Sequence, residues 1–466
     1  MSRHFALDTT PPVQRLMTNL DRDVFQKTIP VLAARIPASK TGSVLKSEAM
    51  KRSIIDLPKV RSVVPDPVDP QTGRLLLLRV SENAGLPPES IEYLNKESFS
   101  LTTYTLKLDY DYWTADEILH CILPEELCQG SPSGFAITGH LAHMNLNKEY
   151  LPYKHIIGQV ILDKNRGIKT VVNKLDSIDT QFRFFKMELL AGEPNYIVEH
   201  HESDCKFTFD FTRVYWNSRL HTEHDRLVQL FQPEDVIADV FAGVGPFAIP
   251  AARKGCAVFA NDLNPNSAKY LAKNIVDNKV TGLVRTSCDD GRNFIRTVLD
   301  QISSDPFPAY TGPRESRSKE RAERRKLQQE RALRISSAAS DDADPVISPE
   351  LPLRSHVTHF VMNLPDSAIE FLDAFRGILA PHSQDVGHLS GIYATMPMPM
   401  IHCHCFTREL EPDKADVDIK RRVEEKLEHQ LVDGYSLHMV RSVAPNKDMY
   451  CISFRLPREV AFAQLI

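Results

Sequence analysis

Residues 236–264 read VIADVFAGVGPFAIPAARKGCAVFANDLN, and the fold is predicted outward from this stretch. It opens with an apolar run typical of a buried strand, after which Gly243 and Gly245 permit a sharp turn with close backbone approach to a ligand. A helix from about Pro246 to Lys254 and a second buried strand from Cys256 to Ala260 follow. Strand, glycine turn, helix and strand in this order predict half of a Rossmann-like nucleotide site.

The next feature is Asp262, which stands where the second strand should end, 19 residues after Gly243. An acidic residue at this distance is placed to accept hydrogen bonds from ribose hydroxyls. The full GxGxxG fingerprint is absent, so we expect a nucleoside rather than a dinucleotide; an ordinary βαβ turn without a ligand is the alternative. The order Asp239, Gly243, Gly245 and Asp262 is similar to the S-adenosyl-L-methionine (AdoMet) motifs of class I methyltransferases.

Further strands extend this half-site into a sheet. A third strand, Leu283 to Ser287, leads to Asp290, which either reaches an adenine amino group or caps a helix beginning at Asn293. A fourth, Val357 to Met362, leads to Asn363, which is aimed at the substrate or caps a helix from Ser367 to Leu379. A strand at 401–406 and a terminal hairpin of 436–443 with 449–455 bring the predicted total to seven strands, the number in the class I methyltransferase sheet.

The chain is long enough for about three domains. We predict a small N-terminal domain over residues 1–100, an α+β domain with βαβαβ order over 101–200, and a catalytic α/β domain over 201–466. RNA binding by the second domain rests on analogy with ferredoxin-like modules. Residues 301–353 interrupt the third domain: Arg314 to Arg334 carries nine basic and four acidic residues and no aromatic. We therefore expect a disordered charged insertion there, either merely solvated or in contact with RNA.

Composition excludes several classes of protein. Hydrophobic residues make up 42% and charged residues 25% of the chain, and no apolar run approaches the roughly 20 residues of a membrane span. The eight cysteines contain no CxxC pair, which argues against a zinc ribbon and a disulfide scaffold and favours a reducing compartment. With a net charge of -5, any RNA-binding surface must be local.

Two segments invite interpretations that the sequence leaves open. The first 52 residues carry nine Lys or Arg and four acids, which fits either a mitochondrial targeting segment or an N-terminus that is merely flexible or docked. The run His402-Cys403-His404-Cys405 suggests a metal site, but on a strand its histidines and cysteines face opposite sides. We therefore expect no metal there.

Just before the glycine turn, residues 214–226 read VYWNSRLHTEHDR and combine aromatic, cationic and carboxylate groups. Thr222 could cap a helix carrying Glu223, and a simple capped linker is the alternative. Together with DVFAGVGP at 239–246, DLNP at 262–265, DGR at 290–292 and NLP at 363–365, this segment resembles the archaeal and eukaryotic tRNA (guanine-37-N1)-methyltransferases. The likeness extends upstream through GHLAHMNL at 139–146 and residues 187–193, and it covers roughly residues 100–460.

The resemblance implies a Rossmann-like, AdoMet-dependent methyltransferase that modifies N1 of guanosine 37 in the tRNA anticodon loop. It implies Glu223 as the base at N1, Arg183 as the group that stabilises charge on O6, and Asn363 as the residue that positions the guanine. The expected cofactor-binding residues are Tyr215, Asp239, Phe241, Gly243, Gly245, Asp262, Leu263, Asp290, Gly291 and Asn363. The expected roles are reading-frame maintenance and the first step of wybutosine synthesis.

The resemblance also implies an enzyme that works in the mitochondrial matrix, nucleus and cytoplasm, without a membrane partner. We expect a monomer, since tRNA recognition here needs no second active site. The rival reading is a wybutosine-pathway aminocarboxypropyl transferase of the same fold, which would not require the Glu223 base. A third reading is an RNA-binding protein with an inactive methyltransferase domain, against which the intact acidic and glycine positions argue.

Overall fold

The computed structural model describes residues 7–15, 17–130, 132–178, 185–312, 352–380, 387–432 and 434–464. Two sequence predictions lie outside these residues. They are the role of Arg183 and the nature of the charged insertion between residues 313 and 351.

The described chain alternates strands and helices. The strands are β1 Lys27–Pro37, β2 Val63–Pro65, β3 Gly73–Leu77, β4 Leu101–Leu108, β5 Ala136–Thr138, β6 Leu141–Met144, β7 Thr170–Ile178, β8 Phe185–Gly192, β9 Ile197–Glu202, β10 Cys205–Asp210, β11 Val236–Asp239, β12 Ala257–Asn261, β13 Val284–Ser287, β14 His359–Met362, β15 Met400–Thr407, β16 Ser436–Ala444 and β17 Lys447–Arg455. The α-helices are α1 Thr41–Lys46, α2 Glu48–Lys51, α3 Pro88–Lys96, α4 Ala115–Ile122, α5 Lys154–Lys164, α6 His221–Leu230, α7 Ala248–Lys254, α8 Pro265–Asp277, α9 Gly291–Ser304, α10 Gly387–Thr395, α11 Pro412–Leu427 and α12 Arg458–Ala461. Within the described ranges, every helix is too short or too polar to cross a membrane.

The chain divides into two compact units. The first comprises Met1–Leu175 with Met187–Asn195, and the second comprises Asp176–Lys186 with Tyr196–Ile466. The first unit contains two four-stranded sheets, in the orders β2-β3-β1-β4 and β5-β6-β7-β8. β4 pairs antiparallel with β1, so it belongs to the first sheet, whereas the sequence prediction assigns it to a second domain beginning at residue 101.

The N-terminal segment is part of the first unit. The indole Nε1 of the fully buried Trp113 donates to the Thr9 carbonyl at 2.7 Å. Arg22 donates through Nε to Asp163 Oδ2 at 2.8 Å, and the Arg15 guanidinium donates to carbonyls at the end of α4. Residues 7–15 and 17–26 are therefore docked on the first unit, and a targeting role of the N-terminus stays a prediction.

The second unit is built on a seven-stranded sheet in the order β13-β12-β11-β14-β15-β17-β16. β11 lies parallel between β12 and β14, and Ala238 is aligned with Phe259 on one side and Phe360 on the other. Every residue of β11 and β12 is buried, as expected for central strands covered on both faces. β17 runs antiparallel between β15 and β16, so the predicted class I methyltransferase sheet with its closing hairpin is confirmed.

Several helix boundaries differ from the prediction. α6 begins at His221 after a 3-10 turn, with Leu220 at its N-cap, so Thr222 lies inside the helix and does not cap it. The segment predicted as a helix from Ser367 to Leu379 is a 3-10 helix, Ala368–Phe375. Neither boundary carries a strong sequence signal, because tertiary packing decides such turns.

The residues that flank the insertion on either side pair with each other in the second unit. α9 continues to Ser304, beyond the predicted start of the insertion at 301, and Phe307 and Arg354 exchange backbone hydrogen bonds of 3.1 and 3.0 Å. The Arg354 side chain donates to the carbonyls of Pro308 and Gly255, at 2.8 Å each. The two ends of the insertion are thereby held side by side.

Candidate active site

A cavity of ≈ 590 Å³ lies at the carboxyl edge of the seven-stranded sheet, where the loops after β11, β12, β13 and β14 meet. This is the position at which parallel α/β sheets bind ligands. The sequence-predicted residues that line it are Tyr215, Phe241, Gly243, Asp262, Leu263, Asp290, Gly291 and Asn363. The structure thus brings together side chains spread over 149 residues of sequence, from 215 to 363.

The two glycines of the turn have different surroundings and different structural roles. Gly243 has φ +56° and lines the cavity, and a Cβ added there would meet nothing within 4 Å. Gly245 has φ +101° and does not line the cavity; a Cβ there would lie 2.7 Å from Ile249 Cδ1. Gly243 therefore keeps the cavity wall open, and Gly245 permits the turn to pack against α7.

Asp262 is fixed by the backbone. Its Oδ2 accepts from the Gly243 N–H at 2.8 Å and its Oδ1 accepts from the Asn264 N–H at 2.9 Å. Burial raises the pKa of Asp262, and these N–H donors counteract the rise. The carboxylate is held at the end of β12, where the sequence predicts a ribose contact.

Asp239 ends β11, is fully buried, and is not among the residues that line the cavity. Both carboxylate oxygens lack a hydrogen-bond partner among the described residues. Burial, reinforced by the nearby Asp262 carboxylate, raises the pKa of Asp239 to about 8. The predicted contact of Asp239 with the cofactor stays a prediction, and its two unpartnered oxygens leave it able to accept hydrogen bonds.

Of the two roles that the sequence left open for Asp290, the structure shows the helix cap, and the adenine contact stays a prediction. Asp290 lines the cavity, and it caps α9 by accepting from the Arg292 N–H at 2.9 Å. Asn363, at the end of β14, also lines the cavity, and its buried Oδ1 has no hydrogen-bond partner in the described structure. An unpaired buried amide oxygen is costly unless a ligand satisfies it, so Asn363 is a ready acceptor for a bound base.

Glu223, the predicted base, is not among the residues that line the cavity. Its side chain is 2% exposed, accepts two hydrogen bonds from Arg226 at 2.6 and 2.7 Å, and accepts one from His404 Nε2 at 2.7 Å. Burial would raise the pKa of Glu223, but the bonds from Arg226 and His404 outweigh it and lower the pKa to about 2. In this arrangement Glu223 is a paired anion rather than a free base.

The His-Cys-His-Cys run behaves as its strand pattern predicts. His402 bonds to His359 at 3.0 Å and to Ser453 at 2.8 Å, His404 bonds to Glu223, and Cys403 and Cys405 face the apolar core. Ligand atoms of Glu223, His404 and Cys451 lie within 4.8 Å of one another, a spacing that a metal ion could use. The Arg226 guanidinium on the same carboxylate opposes a cation at that point.

Several cavity residues escaped the sequence analysis. Phe406 and Lys447 come from the last strands, and Phe371 from the 3-10 helix; none belongs to a motif. His224 lines the cavity beside the predicted Glu223, and its partner Glu202 lies on β9. Leu220 and His224 are four residues apart, so a helical projection of α6 places them on one face. This spacing was the available signal that His224, the residue after Glu223, could line the cavity.

The cavity is acidic. Its lining contains Asp262, Asp289, Asp290 and Asp366, with Lys447 and His224 as the basic residues. Lys447 lies 3.6 Å from Asp366, and its ammonium sits 4.0 Å from the centre of the Phe406 ring. Such a lining favours a cationic ligand and disfavours a phosphate-bearing one.

Comparisons with known proteins were made from the sequence and from the structure. A family described as "TYW2 N-terminal domain" matches residues 115–195, and one described as "TRM5/TYW2 methyltransferase domain" matches residues 198–304. A curated relative from Coprinopsis cinerea, named tRNA (guanine(37)-N(1))-methyltransferase, is 59% identical over 466 residues, covering 99% of this chain and 99% of the relative. A relative of the same name from Saccharomyces cerevisiae is 42% identical and covers 97% of this chain and 95% of its own length.

Solved structures share the fold at low sequence identity. A complex of aTrm5 with tRNALeu has a TM-score of 0.58 at 20% identity, over 91% of this chain and 100% of the other. Trm5b from Pyrococcus abyssi has a TM-score of 0.55 at 22% identity, over 91% of this chain and 99% of the other.

Proposed function

The chain belongs to the family of tRNA (guanine(37)-N(1))-methyltransferases, and from this membership we propose how the residues of its second unit carry out the reaction. The protein is an AdoMet-dependent enzyme that transfers a methyl group to N1 of guanosine 37 in tRNA. The observation that carries this conclusion is 59% identity over 99% of the chain to a relative of that activity. The two curated relatives described above are both named tRNA (guanine(37)-N(1))-methyltransferase, which favours methyl transfer over the rival aminocarboxypropyl transfer.

The cavity fits AdoMet. Asp262 at the end of β12 is placed for the ribose hydroxyls, and Gly243 leaves the adjoining wall open. Leu263, Asp290 and Gly291, from the loops after β12 and β13, would border the adenine. The acidic lining suits a sulfonium ligand. When bound, AdoMet supplies a methyl group made electrophilic by the adjacent sulfonium.

The protein must prepare the guanine for attack. N1 of guanine is a weak acid and a poor nucleophile while protonated, so a base must remove its proton as the N1 to methyl bond forms. We propose that Asn363 holds the guanine edge with its unpaired Oδ1, that Glu223 accepts the N1 proton, and that Arg183 stabilises the charge that develops on O6.

Glu223 can act in this way only if its present contacts loosen. The hydrogen bonds from Arg226 and His404 that depress its pKa must be partly exchanged for the N1–H of guanine. We propose that this exchange accompanies entry of the base, which leaves its stack in the anticodon loop to reach the cavity.

The experiment offers the purified protein tRNA with AdoMet labelled either in the methyl group or in the aminocarboxypropyl carbons. We expect methyl label alone to enter the tRNA, and Glu223→Ala to reduce incorporation sharply. Asp225→Ala, on the same helix at a position without a role in this scheme, is the matched control. Transfer of the aminocarboxypropyl label would establish the rival activity, and full methyl transfer by Glu223→Ala would remove Glu223 as the base.

Assembly and location are further proposals. We propose that the protein acts as a monomer on one tRNA, and light scattering of the complex tests this by its mass.

We also propose that it works in the mitochondrial matrix, nucleus and cytoplasm, and that it is imported without loss of residues 7–26, since that segment packs into the first unit. Mass spectrometry of the protein from isolated mitochondria would test this through its N-terminal peptide. The proposed roles in reading-frame maintenance and wybutosine synthesis follow from the m1G37 product.

A further inference from the structure

Glu223 takes up a proton in the proposed reaction, and this proton must leave the protein. Each methyl transfer turns the sulfonium of AdoMet into a neutral thioether and removes one proton from guanine N1, so one proton is released for each methyl group. The side chain of Glu223 is only 2% exposed. The proton therefore needs a neighbouring group that contacts both Glu223 and solvent.

Three basic side chains surround this carboxylate in the described part of the chain: Arg226, His404 and His438. Arg226 keeps its proton at neutral pH and cannot relay one. His404 is fully buried, and the nearby Cys451 sulfur and Glu223 outweigh this burial and raise its pKa to about 10, so it also keeps its proton. His438 remains, and its side chain is 48% exposed.

The pairing of the last strands explains why His438 reaches Glu223. β16 lies at the edge of the seven-stranded sheet beside β17, where His438 is directly opposite Cys451. On its other side, Cys451 is opposite His404 of β15. Directly opposite residues project from the same face of a sheet, so these three side chains form a row on the face that Glu223 contacts. The row runs from the buried His404 to the exposed edge of the sheet.

His438 is suited to accept a proton from Glu223. Its Nε2 lies 3.7 Å from Oε2 of Glu223, slightly more than a hydrogen-bond length. Burial and the nearby Arg226 charge lower the pKa of His438 and outweigh Glu223, which raises it. The imidazole is therefore neutral at pH 7 and carries one nitrogen lone pair. The titratable or charged groups that face it are Glu223 and Arg226 on α6, His404 on β15 and Cys451 on β17.

We propose that His438 relays the proton of Glu223 to solvent after methyl transfer; this inference rests on the proposed function for the role of Glu223 as the base. The O–H bond at Oε2 of Glu223 breaks as an N–H bond forms at Nε2 of His438, and the Nδ1–H proton of the resulting imidazolium passes to water. Glu223 returns to its anionic form and again accepts hydrogen bonds from Arg226 and His404. This route leaves by the edge of the sheet and avoids the cavity, whose described lining does not include His438.

Stopped-flow measurement of proton release tests the proposal on the full-length protein. Protein in excess over G37 tRNA turns over once, a pH indicator in weakly buffered solution follows the proton, and quenched samples follow methyl transfer. In the wild type the two rates should agree. In His438→Ala we expect methyl transfer within about twofold of the wild type and proton release at least about tenfold slower, because the proton stays on Glu223 until the product leaves.

Rescue by imidazole separates a relay from a structural role. Under multiple turnover, His438→Ala should have a lower kcat at an unchanged KM for tRNA, and added imidazole should restore kcat by occupying the space at the exposed edge. His438→Gln fills that space without a titratable nitrogen, so imidazole should not restore its kcat. Met439→Ala changes the next residue of β16, which is 47% exposed, and is the matched control with wild-type behaviour expected.

Proton release that keeps pace with methyl transfer in His438→Ala would overturn the proposal. So would a loss of kcat that imidazole does not restore, or an equal loss in Met439→Ala, since each assigns His438 a structural role. Failure of the proposed function looks different: the wild type would then transfer no methyl group, or Glu223→Ala would transfer it at the full rate.

Discussion

Replacement of Glu223 by Gln should cost the second unit about 3 kcal/mol of unfolding free energy at neutral pH. The side chain is 2% exposed, and its hydrogen bonds from Arg226 and His404 hold its pKa at about 2 against an ordinary value of 4.5. A depression of this size corresponds to about 3 kcal/mol in favour of the folded state. Loss of one partner from a buried ion pair costs a comparable amount, about 3–5 kcal/mol.

The sign of the pH dependence follows from the direction of each shift. The folded pKa of Glu223 lies below its unfolded value, so its stabilisation is present above pH 4.5 and is lost as the pH falls toward 2. The nearby Cys451 sulfur and the hydrogen bond to Glu223 outweigh burial and raise the pKa of His404 from 6.5 to about 10, so its stabilisation is present below pH 6.5 and is lost as the pH rises through 10. Glu223→Gln should therefore lower the unfolding free energy at neutral pH. It should also make the loss of unfolding free energy below pH 4.5 less steep.

The two tryptophans make the measurement specific to one unit. Trp113 belongs to the first unit and Trp216 to the second, so Trp113→Phe leaves the fluorescence of Trp216 to follow the second unit in urea. Glu234→Gln, at an exposed position, is the matched control and should change little. Two results would refute the buried ion pair as described. One is an unfolding free energy of Glu223→Gln at pH 7 within about 1 kcal/mol of that of the Trp113→Phe protein. The other is an unchanged loss of unfolding free energy below pH 4.5.

Three further predictions concern the backbone of the fold. Gly245→Ala should destabilise the second unit by about 1–3 kcal/mol and weaken AdoMet binding in calorimetry, since the new Cβ meets Ile249 at 2.7 Å; Gly243→Ala, facing open space, should cost less. Replacement of residues 313–351 by a short Gly-Ser linker should leave methyl transfer and the Trp216 unfolding curve unchanged, because the Phe307 and Arg354 backbones already join its ends; a collapse of either would show that the insertion serves the catalytic unit. Removal of residues 1–26 should lower the urea midpoint of the first unit, because it deletes the contacts of Thr9 and Arg22. The fluorescence of Trp113 in a Trp216→Phe background follows this transition. An unchanged midpoint would contradict the docked N-terminal segment.

The sheet and most of the cavity could be predicted because their signals are local. Apolar strands, the glycine turn and the acidic residues at strand ends each lie within a few residues of one another, and parallel topology brings them to one edge. Asp262, Asp290 and Asn363 reach the cavity for this reason. Asp239 belongs to the same pattern but is not among the residues that line the cavity, because whether a side chain at a strand end faces the ligand depends on the turn that follows.

The remaining features depend on contacts between distant segments. Glu223 is separated from its partner His404 by 181 residues, and Lys447 reaches the cavity from the last strand. The pairing of β4 with β1 likewise joins segments that sequence order suggested were separate domains. Periodicity describes one element at a time and carries no information about which elements pack together.

The most direct test of the account is nucleoside mass spectrometry after reaction of the protein with AdoMet and two otherwise identical tRNA transcripts, one with G37 and one with A37. The account predicts 1-methylguanosine from the G37 transcript and none from the A37 transcript, with loss of the product in Asp262→Ala and Asn363→Ala variants that remain folded. Absence of 1-methylguanosine from the G37 transcript, or its formation at another position in the A37 transcript, would contradict it.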